Sequence, residues 1–151
     1  MLARDLAVRA ALAAGALVLS SITVVSAAST LDYEFFKAKV QPIFLAKRPG
    51  HAPCVMCHAE ANNMLRLEKL QEGQTAWTEE QTRKNFDTVS KIVQAADDPL
   101  TSKILLHPLA PEAGGDAFHS GGRQFADKND PNWKIIAEWA SGVALAPGKK
   151  N

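Results

Sequence analysis

Residues 52–60 read APCVMCHAE and hold both cysteines of the chain, Cys54 and Cys57, with His58 directly after them. A pair of thiols this close invites three chemistries. A thioredoxin-like redox pair wants a strand–helix–strand setting, and no alternating apolar pattern surrounds Cys54. A tetrahedral zinc site needs two more ligands, commonly a second Cys pair or a His pair at short spacing; the remaining histidines, His51, His107 and His119, are scattered. The third reading is covalent haem attachment at C-x-x-C-H. There the two sulfurs form thioethers from one helical turn and the following histidine becomes the proximal iron ligand. Two cysteines are too few for a disulfide scaffold that replaces a core.

The rest of the composition narrows the setting. At 151 residues the chain suits one domain with a little over. It has 17 Lys and Arg against 16 Asp and Glu, so no general field draws nucleic acid or an acidic substrate. The first residues differ from the rest. MLARDLAVR carries two arginines, an uncharged stretch rich in Ala, Gly, Ser and Val follows, and Val25 and Ala27 sit as small-residue cleavage positions. This is the layout of a secretory signal peptide over residues 1–27, with an uncleaved membrane anchor as the other reading. Both place residues 28–151 outside the cytoplasm, in the periplasm or an equivalent space, where a reactive thiol pair would tend to oxidise. That location, joined to the motif and the lack of other cysteines, favours one covalently bound haem c.

Helical signals fill the remainder. In STLDYEFFKAKVQPIFLAK, Ser29 or Thr30 is the expected N-cap; Phe36, Val40, Ile43 and Phe44 recur at helical spacing, and Pro42 should kink or restart the helix. Thr78 with Gln81 predicts a capping box ahead of the Phe86, Val89, Val93 stripe. Asp98 and Pro99 predict a short helix over DDPLTSKILLHPL. APEAGGDAFHSGGRQFADKN has four glycines and no apolar period, hence loop. DPNWKIIAEWASG predicts a helix capped by Asp130, opened by Pro131, apolar at Trp133, Ile136 and Ala140, and ended by Gly142. The final VALAPGKKN is expected to fray. No strand pattern emerges, so the expected fold class is all-α.

The order of helix, CVMCH, helices, Gly-rich loop and terminal helix resembles the class I c-type cytochromes, in which the first and last helices pack together beside the haem. FFKAKVQPIFLAK…CVMCH, DPLTSKILLHPLAPEAGGDAFHSGGRQF and DPNWKIIAEWASG are most similar to planctomycete-type cytochrome c domains, over about residues 31–143. The resemblance implies a single-domain, mono-haem class I-like cytochrome c fold and places a distal-ligand loop before the last helix.

That loop holds no methionine. Met1 lies in the leader, Met56 inside the attachment turn, and Met64 six residues after His58, where a core position beside Leu65 and Leu67 is expected. The distal candidates are His119, flanked by glycines, then His107, then an open site; His51 is read as surface. Phe118, Phe125, Trp77, Trp133 and Trp139 are candidate haem-wall residues. Arg66, Arg83 or Arg123 suits a haem propionate, with Arg123 preferred because it neighbours His119. The expected function is single-electron transfer, not enzymatic chemistry, with redox proteins or a larger membrane electron-transfer complex as partner and membrane attachment through the N-terminal segment as a further expectation. The alternative is a small-ligand sensor or peroxidase-like enzyme with an open iron site.

Overall fold

The computed structural model describes residues 30–146. The leader reading and the end of the tail, 147–151, lie outside the described residues. Within them the chain is helical without a strand; only isolated bridges pair Arg48 with His51 and Leu109 with Phe125.

The first helical stretch starts later than expected. Asp32 caps it, its Oδ1 accepting from the Phe35 amide at 2.5 Å. Aspartate caps as well as serine, and it stands directly before the first helical residue, in place of Thr30; Ser29 lies outside the described residues. α1 (Tyr33–Phe35) runs into a π-helical turn, Phe36–Val40, and then α2 (Gln41–Leu45). Pro42 explains the wide turn. Its nitrogen has no hydrogen to donate, and the helix restarts around it with the Gln41 amide reaching back to the Phe36 carbonyl. Phe36, Val40, Ile43 and Phe44 are all buried, as their spacing implies.

α3 (Cys54–His58) is the single turn of the CVMCH motif. α4 (Glu79–Gln94) begins with the expected capping box of Thr78 and Gln81. Asp98 caps a 3-10 turn, Pro99–Thr101, which leads into α5 (Lys103–Leu106). α6 (Pro131–Ala140) is capped by Asp130, which accepts from the Asn132 and Trp133 amides, and Gly142 follows it in a left-handed conformation.

The first and last described helical stretches meet in the core. The Phe36 ring lies 5.3 Å from Trp139 and 5.5 Å from Phe86. The Trp139 indole donates to the Asp32 carbonyl at 2.8 Å, so its one polar atom is satisfied while the ring is fully buried. Burying an aromatic ring of this size stabilises by about 4–6 kcal/mol before entropy is charged. First and last described helices are thus joined by the two largest fully buried side chains.

Between α5 and α6 the chain forms a loop built on close backbone approach. A Cβ at Gly115 would lie 2.0 Å from the Leu109 carbonyl oxygen, so only glycine fits there. The loop is pinned at its start by Asp116 N–H to the Leu106 carbonyl and at its end by Phe125 N–H to the Pro108 carbonyl.

Candidate functional site

α2, α3, α5 and the loop before α6 enclose a cleft of about 440 Å³, within the roughly 300–1,000 Å³ of cofactor-sized pockets. Cys54, Cys57, His58, His107 and His119 all line it. Its walls are mainly aliphatic and aromatic, with Ile43, Phe44, Leu65, Ile104, Phe125 and Ile136 among them. The structure therefore brings to one space the residues singled out in CVMCH and the histidine from the glycine-rich loop, 61 positions further on in the chain.

α3 positions the thiols. With Val55 buried as its anchor, the turn leaves Cys54 half-buried and Cys57 exposed. Burial pushes the Cys54 thiol above its usual pKa, and the nearby Arg48 charge only partly offsets this. His58 closes the turn. Its Nδ1 lies 2.8 Å from the Leu65 carbonyl, and its own carbonyl accepts from the Leu67 amide at 3.1 Å. Leu67 is buried, so segment 65–67 braces the imidazole from behind.

His119 is held in the same manner. Its Nδ1 lies 2.6 Å from the Gly122 carbonyl, and the Gly122 amide returns to the His119 carbonyl at 3.0 Å. Gly122 has φ +78°, which lets this tight turn form. A carbonyl can only accept, so in both histidines Nδ1 carries a hydrogen, and Nε2 is the nitrogen left for a ligand. Burial lowers the His119 pKa, the Gly122 hydrogen bond opposes it, and the His107, His58 and Arg123 charges add to the lowering. The neutral, ligating form is favoured.

The two rings lie 6.2 Å apart, centre to centre, with planes 17° from parallel. An imidazole nitrogen binds a first-row metal at about 2 Å with its ring centre about 1.1 Å behind, so two rings on opposite sides of one ion stand about 6 Å apart. The donor set, the ring separation and the apolar walls all fit a planar metal macrocycle attached through Cys54 and Cys57. His107 is differently engaged: its Nδ1 is 2.9 Å from Asp116 Oδ2, a carboxylate shared with Lys103, and its ring meets the edge of His119 at 4.9 Å.

Several expected neighbours lie elsewhere. Of the five aromatic candidates only Phe125 lines the cleft. Phe118 is 74% exposed, while Trp77, Trp133 and Trp139 are buried with their indole nitrogens on the Glu68, Leu105 and Asp32 carbonyls. Met64, expected in the core, is 69% exposed and sits on the cleft rim, next to the Leu65 carbonyl that holds His58. His51, read as surface, is half-buried against Gly122. Arg83 pairs with Glu79 and lies over the Tyr33 ring. Arg123 is not among the lining residues; its Nη2 donates to the Ala117 carbonyl, and its Nη1 is buried without a partner. Lys103 and Gln124 do line the cleft and were not singled out. Lysine and glutamine at a helix start and in a loop carry no sequence signal for this; the fold alone brings them in. Among the described residues no helix is long and apolar enough to cross a membrane. No family model matches the sequence, and neither a curated protein nor a solved structure matches the chain.

Proposed function

We propose that this protein is an extracytoplasmic mono-haem c-type cytochrome of the class I-like fold, transferring single electrons. The observation that carries the reading is the convergence of Cys54, Cys57 and His58 with His119 in one apolar cleft, the two imidazoles 6.2 Å apart. The contact of first and last helices through Phe36 and Trp139 is in keeping with the resemblance to class I c-type cytochromes.

Haem c supplies reversible one-electron chemistry at iron. The chain's own residues do the rest. Cys54 and Cys57 hold the group covalently, one from inside the cleft and one from its surface. His58 and His119 present their Nε2 atoms, each ring fixed by a carbonyl on the opposite nitrogen, the outer-shell arrangement that orients metal-bound histidine. Ile43, Phe44, Ile104 and Ile136 exclude water. Lys103 lines the cleft, and its ammonium, paired with Asp116, offers a donor for carboxylate substituents of a bound group. Export rests on the charged, apolar and small-residue pattern of residues 1–27. A redox protein or a membrane electron-transfer complex is the partner class.

Acid–acetone extraction of the protein purified from an exporting host, followed by a reduced visible spectrum with and without carbon monoxide, tests the proposal. Colour should stay with the polypeptide, and carbon monoxide should bind slowly or not at all. Extraction of the colour, or bound zinc in its place, would overturn haem attachment. Rapid carbon monoxide binding would overturn the saturated electron carrier and favour a ligand sensor or peroxidase-like enzyme.

A further inference from the structure

The two halves of the cleft come from segments far apart in sequence. One is the attachment segment at 52–58; the other is the loop that carries His119. The loop is anchored at both ends to the α5 region, through Asp116 to Leu106 and Phe125 to Pro108. Its middle hydrogen-bonds mostly to itself: His119 with Gly122, and Arg123 with Ala117. Among the described residues one side chain of this loop reaches across to the attachment segment by a hydrogen bond. Gln124 Nε2 donates to the Ala52 carbonyl at 3.3 Å and to the Gly121 carbonyl at 3.3 Å. Both partners are carbonyls, so the amide nitrogen must be the end that faces them and both its hydrogens are used. Gln124 is 7% exposed and lines the cleft, so water does not readily substitute for these partners.

Gly121 makes the connection matter for His119. A Cβ at Gly121 would lie 3.1 Å from the His119 ring carbon Cε1, so the Gly121 backbone is packed against the imidazole. Holding the Gly121 carbonyl holds the wall behind the ring. We propose that Gln124 is a positioning residue for the distal histidine: its amide ties the His119 loop to the attachment segment and keeps His119 seated over the position opposite His58. This inference rests on His119 being the distal ligand. Gln124 acts through Gly121 and Ala52 and touches no reacting atom.

The test is the rate of carbon monoxide binding to the reduced protein carrying its attached haem, which requires His119 to leave first. Gln124→Leu keeps the bulk and removes both donors; the rate should rise about tenfold, the scale of two lost hydrogen bonds of modest net worth. Gln124→Asn keeps the amide but is one methylene short, and should give a smaller rise in the same direction. His119→Ala should bind carbon monoxide fastest of all. If His119→Ala is fast and both Gln124 variants bind as slowly as the unmodified protein, the positioning role is wrong while the ligand assignment stands. The same holds if Gln124→Leu only lowers the unfolding temperature, since a purely structural part would do that and leave the rate unchanged. If His119→Ala itself stays slow, the ligand assignment fails, and the role of Gln124 fails with it.

Discussion

Asp130 is the sharpest place to perturb the link between the fold and the cleft. It caps α6 through Oδ1, at 2.8 Å from the Asn132 amide and 3.4 Å from that of Trp133. It also receives the Arg48 guanidinium, whose other face lies over the Phe125 ring of the cleft wall at 4.9 Å. The pair is about four-fifths buried, with side-chain exposures of 20% and 18%. Asp130→Asn keeps a good cap and discards the charge. It leaves Arg48 largely buried without its counter-ion, at a cost of about 1–3 kcal/mol. Asp130→Ala adds the lost cap, about 1 kcal/mol more. At about 4 °C per kcal/mol for a domain of this size, the unfolding midpoint should fall by about 4–12 °C for Asn and about 4 °C further for Ala. Acidity gives an independent check. Burial alone would raise the Asp130 pKa, but the Arg48 hydrogen bond, the two amides and the Arg48 charge together hold it below the ordinary value. A group depressed in the folded state stabilises fully above its unfolded pKa and loses that contribution as pH falls through the folded one. The gap between the parent protein and Asp130→Asn should therefore be widest at neutral pH and close in acid below about pH 4. Thermal unfolding followed by circular dichroism across that range measures both. Equal midpoints at pH 7, or a gap that persists unchanged in acid, would refute the reasoning.

Four further outcomes are expected. His119→Ala should convert the oxidised iron from low- to high-spin by visible spectroscopy, whereas His107→Ala should leave the spectrum unchanged; the reverse pattern would move the distal ligand to His107. In protein made without haem, iodoacetamide should modify exposed Cys57 first and Cys54 slowly, because burial holds the Cys54 thiol protonated and the thiolate is the reactive form; in the haem-bearing protein neither should react, and two free thiols there would contradict thioether attachment. Trp139→Ala should destabilise the fold by about 3–5 kcal/mol in denaturant titration, and a loss under 1 kcal/mol would contradict its place at the centre of the core. Intact mass of the exported protein should show a start near Ala28; a mass that includes residues 1–27 would identify an anchor in place of a cleaved leader.

What was legible in the sequence followed from local physics. The capping box at Thr78 and the Asp130–Pro131 start are decided within four residues, and both helices begin where their caps stand. Pro42 announces a disturbed helix because the missing N–H is a covalent fact. That Cys54, Cys57 and His58 would share one short turn was legible because they lie within five residues of each other. The misplacements share a different cause. Trp77, Trp133 and Trp139 are large and apolar, which predicts burial but not the surface against which they are buried; all three face the helix core, not the cleft. Met64 was expected beside Leu65 and Leu67 in the core, yet it lies in a bend that leaves it exposed while Leu67 is buried. Gln124 was invisible because its partner, the Ala52 carbonyl, lies 72 residues away and any residue type supplies a carbonyl.

The choice between electron carrier and ligand-binding enzyme reduces to two imidazoles 4.9 Å apart. His107, hydrogen-bonded to Asp116, is the arrangement a peroxidase-like site would use to move protons beside an open iron. His119, hydrogen-bonded to a neutral carbonyl, is the arrangement that fills the position instead. The geometry favours the second. His119 stands at a ring-centre separation from His58 compatible with a shared metal, its turn is closed by two hydrogen bonds, and burial lowers its pKa. His107 shares its carboxylate with Lys103, whose ammonium is the first cause of the depressed Asp116 pKa. The hydrogen-bonding contact of His107 with Asp116 fastens α5 to the start of the loop that carries His119. If His119 fills the distal position, the ligand that raises the potential of a c-type haem, methionine, would be missing. The carrier proposed here should therefore work at a lower potential than a Met/His cytochrome, and its formally neutral surface beyond residue 27 gives little electrostatic steering. Both features suit a subunit resident beside its partner better than a fast shuttle between distant ones.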